Sequence, residues 1–283
     1  MKNATEVLER LKYPEQVAGF MDESLQHTID TLRSTAVSAG NQAEATECWR
    51  AETILSIQRT FSDAFEMLRA GAFYDAWCLL ERCEIQLRSL LRHHTTDESD
   101  PYRIQYVSRL VSQWQSLYPY KVFFSPEIVK KKVVCGICGS VVLPRRNCGH
   151  RKHHIYDGRI CVHQVVEAEF PSISLVTNPV QKYSVLFLTD DKGQKLDHYN
   201  YSAVKFVADR VMSPWHDWRT THATRELAAN EVAHVSASAP CPCCSGKDFS
   251  NCCDGKEKLV VPHLQVTFLV PPPPDMPESE LYC

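Results

Sequence analysis

The sequence has no apolar run approaching the ~18 residues that a membrane-spanning helix needs, so no spanning segment is expected. Its opening residues, Met1-Lys2-Asn3-Ala4-Thr5-Glu6, lack the apolar stretch of a secretory signal. A cytoplasmic location follows as the expectation. The common catalytic signatures are missing too: there is no H-E-x-x-H, no G-x-S-x-G and no G-x-G-x-x-G. His216-Asp217 is a single dipeptide between Trp215 and Trp218, and such a pair alone is usually structural. No assembled nucleophile and base is visible, so an enzyme is not the first expectation. Global disorder is excluded as well, because 44% of residues are apolar and 23% charged. At roughly 150 residues per domain, 283 residues suggest about two domains.

The charge that is present is unevenly placed. The net charge of −3 hides three segments. Residues 1–120 hold 12 Lys/Arg against 17 Asp/Glu, net −5. Residues 121–163 hold 9 against 2, net +7, and residues 164–283 hold 10 against 15, net −5. Cysteine is clustered in the same uneven way. Of 13 cysteines, Cys48, Cys78 and Cys83 are scattered through the first 120 residues, four lie in 135–161 and five in 241–253. Without a secretory signal these read as thiols or metal ligands, not as a disulfide framework.

The first 120 residues read as a helical bundle. Val17, Met21, Leu25, Ile29, Leu32 and Ala36 recur at three or four residues, as do Ile54, Ile57, Phe61, Phe65 and Leu68. Ala70-Gly71-Ala72 interrupts the pattern, which resumes at Ala76, Leu80, Cys83, Leu87 and Leu90. Asp100 and Pro101 suit the start of a further helix carrying Ile104, Val107, Val111, Trp114 and Leu117. Trp49, Trp77 and Trp114 are then core residues. The segment Leu68–Ala76 looks a little like the middle of a tetratricopeptide repeat, but one degenerate copy is weaker than a plain helical hairpin. After Tyr120 the periodicity shortens. Val162–Phe170, Ile173–Thr177, Tyr183–Thr189 and Leu259–Val270 are expected strands, Ser202–Met212 a helix, and Ser213–Val235 helical in part. Pro271–Cys283 reads as an extended proline-rich tail.

The densest signal is Cys241-Pro242-Cys243-Cys244-Ser245-Gly246-Lys247-Asp248-Phe249-Ser250-Asn251-Cys252-Cys253. Thiols at C-x-C-x8-C-C can close around one ion with no position left open. Gly246 permits a tight turn, Lys247 can offset thiolate charge, and Phe249 offers a small apolar lid. A phosphate-binding loop is excluded, because Cys241 and Asp248 stand where it needs Gly and Ser/Thr. The segment resembles the SEC-C motif, C-x-C-x-S-G-K-x-aromatic-x-x-C-(H or C), the metal-binding tail of the SecA translocation ATPase and of many small bacterial proteins. Cys241, Cys243, Ser245, Gly246, Lys247, Phe249, Cys252 and Cys253 match it, over about 15 of 283 residues. The resemblance implies Cys241, Cys243, Cys252 and Cys253 as ligands and a docking role, since in SecA this tail contacts the SecB chaperone and ribosomes. Cys244 stands where the family usually has glycine, and remains an alternative ligand.

A second cluster begins with Cys135-Gly136-Ile137-Cys138-Gly139, a zinc-knuckle shape. With Cys148 and His150 it completes a Cys3His site; His153, His154, Cys161 and His163 are nearby substitutes for the fourth ligand. Such a site holds its ion closed, which disfavours hydrolysis, and a HNH-type nuclease would want a second CxxC and a His–Asn pair. Basic residues surround the knuckle: Lys130, Lys131, Lys132, Arg145, Arg146, Arg151 and Lys152, with Arg159 beyond. They could hold phosphates, with His153, His154 and Tyr156 available to stack on bases.

The sequence therefore predicts an α+β protein: an all-α bundle (1–120), a zinc-knuckle α+β domain (121–235), a SEC-C zinc module with a final strand (236–270) and a tail (271–283). Two structural Zn²⁺ ions are the expected cofactors. The expected function is a cytoplasmic adaptor docking a protein or ribonucleoprotein partner. The alternatives are a nucleic-acid-binding protein using the basic knuckle, and a metal-dependent enzyme whose site is dispersed.

Overall fold

The computed structural model describes residues 3–15, 23–97, 99–146 and 148–273. Val17 and Met21 of the first helical pattern, and all of the tail beyond 273, lie outside the described residues. The described chain is α+β and divides into two compact units, 1–200 and 201–283. These limits differ from the sequence-based boundaries at 120 and 235.

In the first unit, helices α1 (Ala4–Leu11), α2 (Glu23–Ser38), α3 (Gln42–Arg69), α4 (Phe73–Leu91) and α5 (Ile104–Ser116) form the bundle. Local chemistry sets their ends. Asn3 Oδ1 accepts from Glu6 N–H at 3.0 Å, and Asn41 Oδ1 accepts from Glu44 N–H at 3.1 Å. Glu44 also reaches back to accept from Ala4 N–H at 2.7 Å, so α3 caps α1. Asp100 accepts from Ile104 N–H at 2.7 Å, and Gly71, at φ +76°, turns α3 into α4. The predicted faces are the buried ones: Ile54, Ile57, Phe61 and Leu68 from α3, Leu80, Cys83 and Leu90 from α4, and Val107, Val111 and Trp114 from α5. Trp49, Trp77 and Trp114 are core residues. Cys48 and Cys83 are sealed in the same core, where burial pushes their thiols up to about 11 and about 12.

Residues 121–200 belong to this unit and are built from two-stranded antiparallel ribbons. β1 (Phe123–Pro126) pairs with β6 (Ile173–Val176), and β2 (Val129–Cys135) with β5 (His163–Glu169). β3 (Ile155–Tyr156) pairs with β4 (Arg159–Ile160), and β7 (Leu188–Thr189) with β8 (Lys195–Leu196). The expected strand Tyr183–Thr189 survives as β7 and as an isolated antiparallel bridge between Val185 and Phe123. At its start helix side chains take the backbone: Lys182 N–H donates to Glu81 Oε1 at 2.6 Å, Trp77 Nε1 donates to Lys182 O at 2.6 Å, and Tyr74 Oη donates to Tyr183 O at 2.8 Å.

The segment 153–158 is held against the bundle. Asp157 N–H donates to Gln42 Oε1 at 3.0 Å, and His93 Nε2 lies 2.8 Å from His153 O. Gly158 turns at φ +65° so close to α3 that a Cβ there would sit 2.6 Å from Ala45 O and 2.8 Å from Arg33 Cδ. A Gly158→Ala variant combines left-handed strain with overpacking, each on the order of 1–3 kcal/mol. It is expected to lose at least about 2 kcal/mol of stability, read as a lower denaturant midpoint. An unchanged midpoint would mean that this turn does not anchor the segment to the bundle.

The second unit contains α6 (Ser202–Arg210) and a long antiparallel ribbon, β9 (Trp218–Ala228) with β10 (Lys258–Phe268). The stretch 213–235, expected to be helical in part, holds β9 and a single 3-10 turn at Ala229–Val232. Thr220, Thr221 and Thr224 favour extended backbone, and the pairing with β10 decides the matter by burying Trp218 and Leu227. Pro262 is tolerated inside β10 because the ribbon has only two strands.

Candidate metal centres

The C-terminal centre lies on the segment joining β9 to β10. Cys241 N–H donates to Lys247 O at 2.8 Å, closing the turn through Ser245-Gly246-Lys247, where Gly246 has φ +76°. A 3-10 turn at Phe249–Asn251 follows, and both Cys252 and Cys253 N–H groups donate to Phe249 O at 3.1 Å. This folds the two cysteine pairs onto each other. The Sγ atoms of Cys241, Cys243, Cys252 and Cys253 all lie within 4.8 Å of one another. Cys243 is 3.4 Å from Cys241 and 3.5 Å from Cys252, and Cys252 is 3.7 Å from Cys253. A tetrahedral ion with ~2.3 Å bonds to sulfur has S···S edges of about 3.8 Å, so these thiols are nearly preset for one.

The surroundings support that use. Ser245 Oγ lies 3.1 Å from Cys252 Sγ, and the hydrogen bond it makes to Cys243 holds that thiol down at about 6. Burial pushes Cys241 up to about 12. Phe249 is a core residue, packed with Leu227, Val232, Leu259 and Val261, and Cys241 and Cys253 belong to the same small core. The ammonium seen at a sulfur is that of Lys256, 3.6 Å from Cys253 Sγ, which the sequence reading missed in favour of Lys247. Cys244 is not among the four gathered cysteines; it takes φ +58°, the left-handed region that favours glycine.

No family model, no curated protein and no solved structure matches the chain. The chemistry of the two centres must therefore be read from their geometry.

The middle centre gathers Cys135, Cys138, Cys148 and His150, whose ligand atoms also lie within 4.8 Å of one another. Cys135 ends β2, and Gly139 N–H donates to Cys135 O at 2.8 Å, with Gly139 at φ +72°. The backbone N–H of Cys138 bonds the Cys135 sulfur and lowers that thiol to about 7. Gly149, at φ +87°, turns Cys148 and His150 to the same point, and Cys148 Sγ is 3.5 Å from His150 Nδ1. That matches the S···N edge of about 3.5 Å in a tetrahedron with ~2.3 and ~2.0 Å bonds. The His150 ring packs edge-on against Tyr156 at 4.6 Å, and Tyr156 Oη accepts from Arg151 N–H at 2.9 Å. Tyr156 thus has a structural task. Of the substitutes considered for the fourth ligand, His153 and His154 contribute backbone bonds to Cys161, and His163 stands opposite Cys135 in the ribbon.

Lys130, Lys131, Lys132, Arg145, Arg146, Arg151 and Lys152 are all exposed. Lys131 is tied to Glu169 at 2.9 Å, a pair of two exposed groups that holds little energy. Among the described residues no helix is long and apolar enough to cross a membrane.

Proposed function

We propose that this chain is a cytoplasmic adaptor with two structural zinc ions, docking a protein or ribonucleoprotein partner through its helical bundle and its SEC-C-like module. One observation carries the reading: two separate sets of four Cys/His donors, each converging within 4.8 Å. Sets of four thiolates, or three thiolates and an imidazole, leave the ion no open position and suit scaffolding over hydrolysis. The chain's likeness to the SEC-C motif supplies the docking role, since that motif serves as a contact tail elsewhere. Metal analysis of the purified chain tests the first half, with about two zinc ions per chain expected. Affinity capture with residues 201–283 intact, compared before and after metal removal, tests the second.

The exposure of all seven basic residues favours a second reading, contact with nucleic acid at the knuckle. Such contact is electrostatic and weakens steeply with salt. Reversing Lys130, Lys131, Lys132, Arg145 and Arg146 to Glu is then expected to lower RNA or DNA affinity on the order of 10³-fold while zinc content stays the same. Fluorescence anisotropy across a salt titration measures it. No binding by the unaltered chain at low salt would remove this second reading.

A further inference from the structure

Beside the four gathered donors of the middle centre stands a further thiol, Cys161. Cys161 is fully buried, and its Sγ lies 3.8 Å from Cys135 Sγ. That spacing is the S···S edge of a tetrahedral thiolate site, about 3.8 Å. The backbone fixes it there. His153 N–H donates to Cys161 O and Cys161 N–H donates to His154 O, both at 2.7 Å. Next along the chain, Val162 O accepts from Gly136 N–H at 2.8 Å, beside Cys135 itself. The two thiols are thus pinned together by the strand ends that carry them. His150 is held differently, at the end of a Gly149 turn and only half-buried. Charge and softness favour exchange between them. Replacing the imidazole by a thiolate takes the centre from net −1 to net −2, within a segment of net charge +7, and thiolate is the softer ligand.

We infer that Cys161 is an interchangeable fourth ligand of the middle centre, closing a four-thiolate site around a divalent metal whenever His150 leaves it. The inference rests on the reading that this centre binds metal. The test uses the full chain and the variants His150→Ala, Cys161→Ala, the two combined, and Cys135→Ala/Cys138→Ala, each loaded with Co²⁺ as an optical probe and with Zn²⁺ for stoichiometry. His150→Ala is expected to keep about two ions per chain. Its thiolate-to-cobalt band at the middle centre should be about one-third stronger than that of Cys161→Ala, as four thiolates replace three. The combined variant should fall to about one ion per chain. Loss of one ion from His150→Ala alone, or retention of both by the combined variant, overturns the exchange. Should Cys161→Ala fail to fold, the stoichiometry and four-thiolate spectrum of His150→Ala decide by themselves. If Cys135→Ala/Cys138→Ala holds as much metal as the unaltered chain, the middle centre binds none, and that result sinks the underlying reading itself.

Discussion

Stripping metal with a strong chelator is expected to open residues 229–257 to protease while most of the helical signal persists. Binding of a structural zinc contributes on the order of 10–16 kcal/mol in small thiolate modules, far more than a handful of side chains. In this chain the segment between β9 and β10 depends on a core of seven buried residues, two of which, Cys241 and Cys253, are themselves candidate ligands. Taking the ion away leaves four thiols with S···S separations down to 3.4 Å and repelling charge when ionised. The helices of the first unit keep their own apolar faces, with Ile54, Leu80 and Val111 sealed from solvent. Limited proteolysis with mass mapping, with and without chelator, reads the outcome. Cys253→Ser should reproduce the chelated pattern at this segment in zinc-replete buffer. Equal protease resistance in both conditions would show that the fold here stands without metal.

The second large effect is expected in the bundle. Trp114 on α5 is 1% exposed, and truncating a buried Trp to Ala typically costs about 3–5 kcal/mol through lost burial and the cavity left behind. For a unit of this size each kcal/mol moves the midpoint by roughly 2–4 °C, so Trp114→Ala should lower it by roughly 10 °C. Ile85→Ala is the matched control. Ile85 lies on the outer face of α4, 54% exposed, and its truncation should change stability by no more than about 0.5 kcal/mol. Thermal unfolding of both variants measures the contrast. Equal shifts would mean that the bundle core does not close around Trp114.

Periodicity of 3.6 residues made the helices legible, because a long helix writes its buried face into one stretch of sequence. Ile54, Ile57, Phe61, Phe65 and Leu68, then Ala76, Leu80, Cys83, Leu87 and Leu90, are that kind of record, and each of these positions is buried. The candidate donor sets were legible for a related reason. Each set lies within a short window, so spacing alone constrained Cys241, Cys243, Cys252 and Cys253, and also Cys135, Cys138, Cys148 and His150. Cys244, at φ +58°, takes the left-handed conformation that glycine adopts most readily.

What the tertiary structure decided involved residues distant in sequence. Extended backbone over Trp218–Ala228 depends on a partner strand that begins 30 residues after β9 ends, at Lys258, and no local pattern announces it. Tyr183 loses its strand because Trp77, Tyr74 and Glu81, about a hundred residues earlier, claim the neighbouring backbone groups. The ammonium beside Cys253 comes from Lys256, outside the motif, and the turn at Gly158 is intelligible only through its contact with Ala45 and Arg33. Likewise, the 3.8 Å approach of Cys161 to Cys135 follows from ribbon pairing and not from spacing. Sequence alone determined the helical faces and the two clusters of candidate donors, because both are set by neighbours along the chain. Strand pairing, the anchoring of the turn at Gly158 and the place of Cys161 beside Cys135 were decided in three dimensions, because their partners are brought together only by folding.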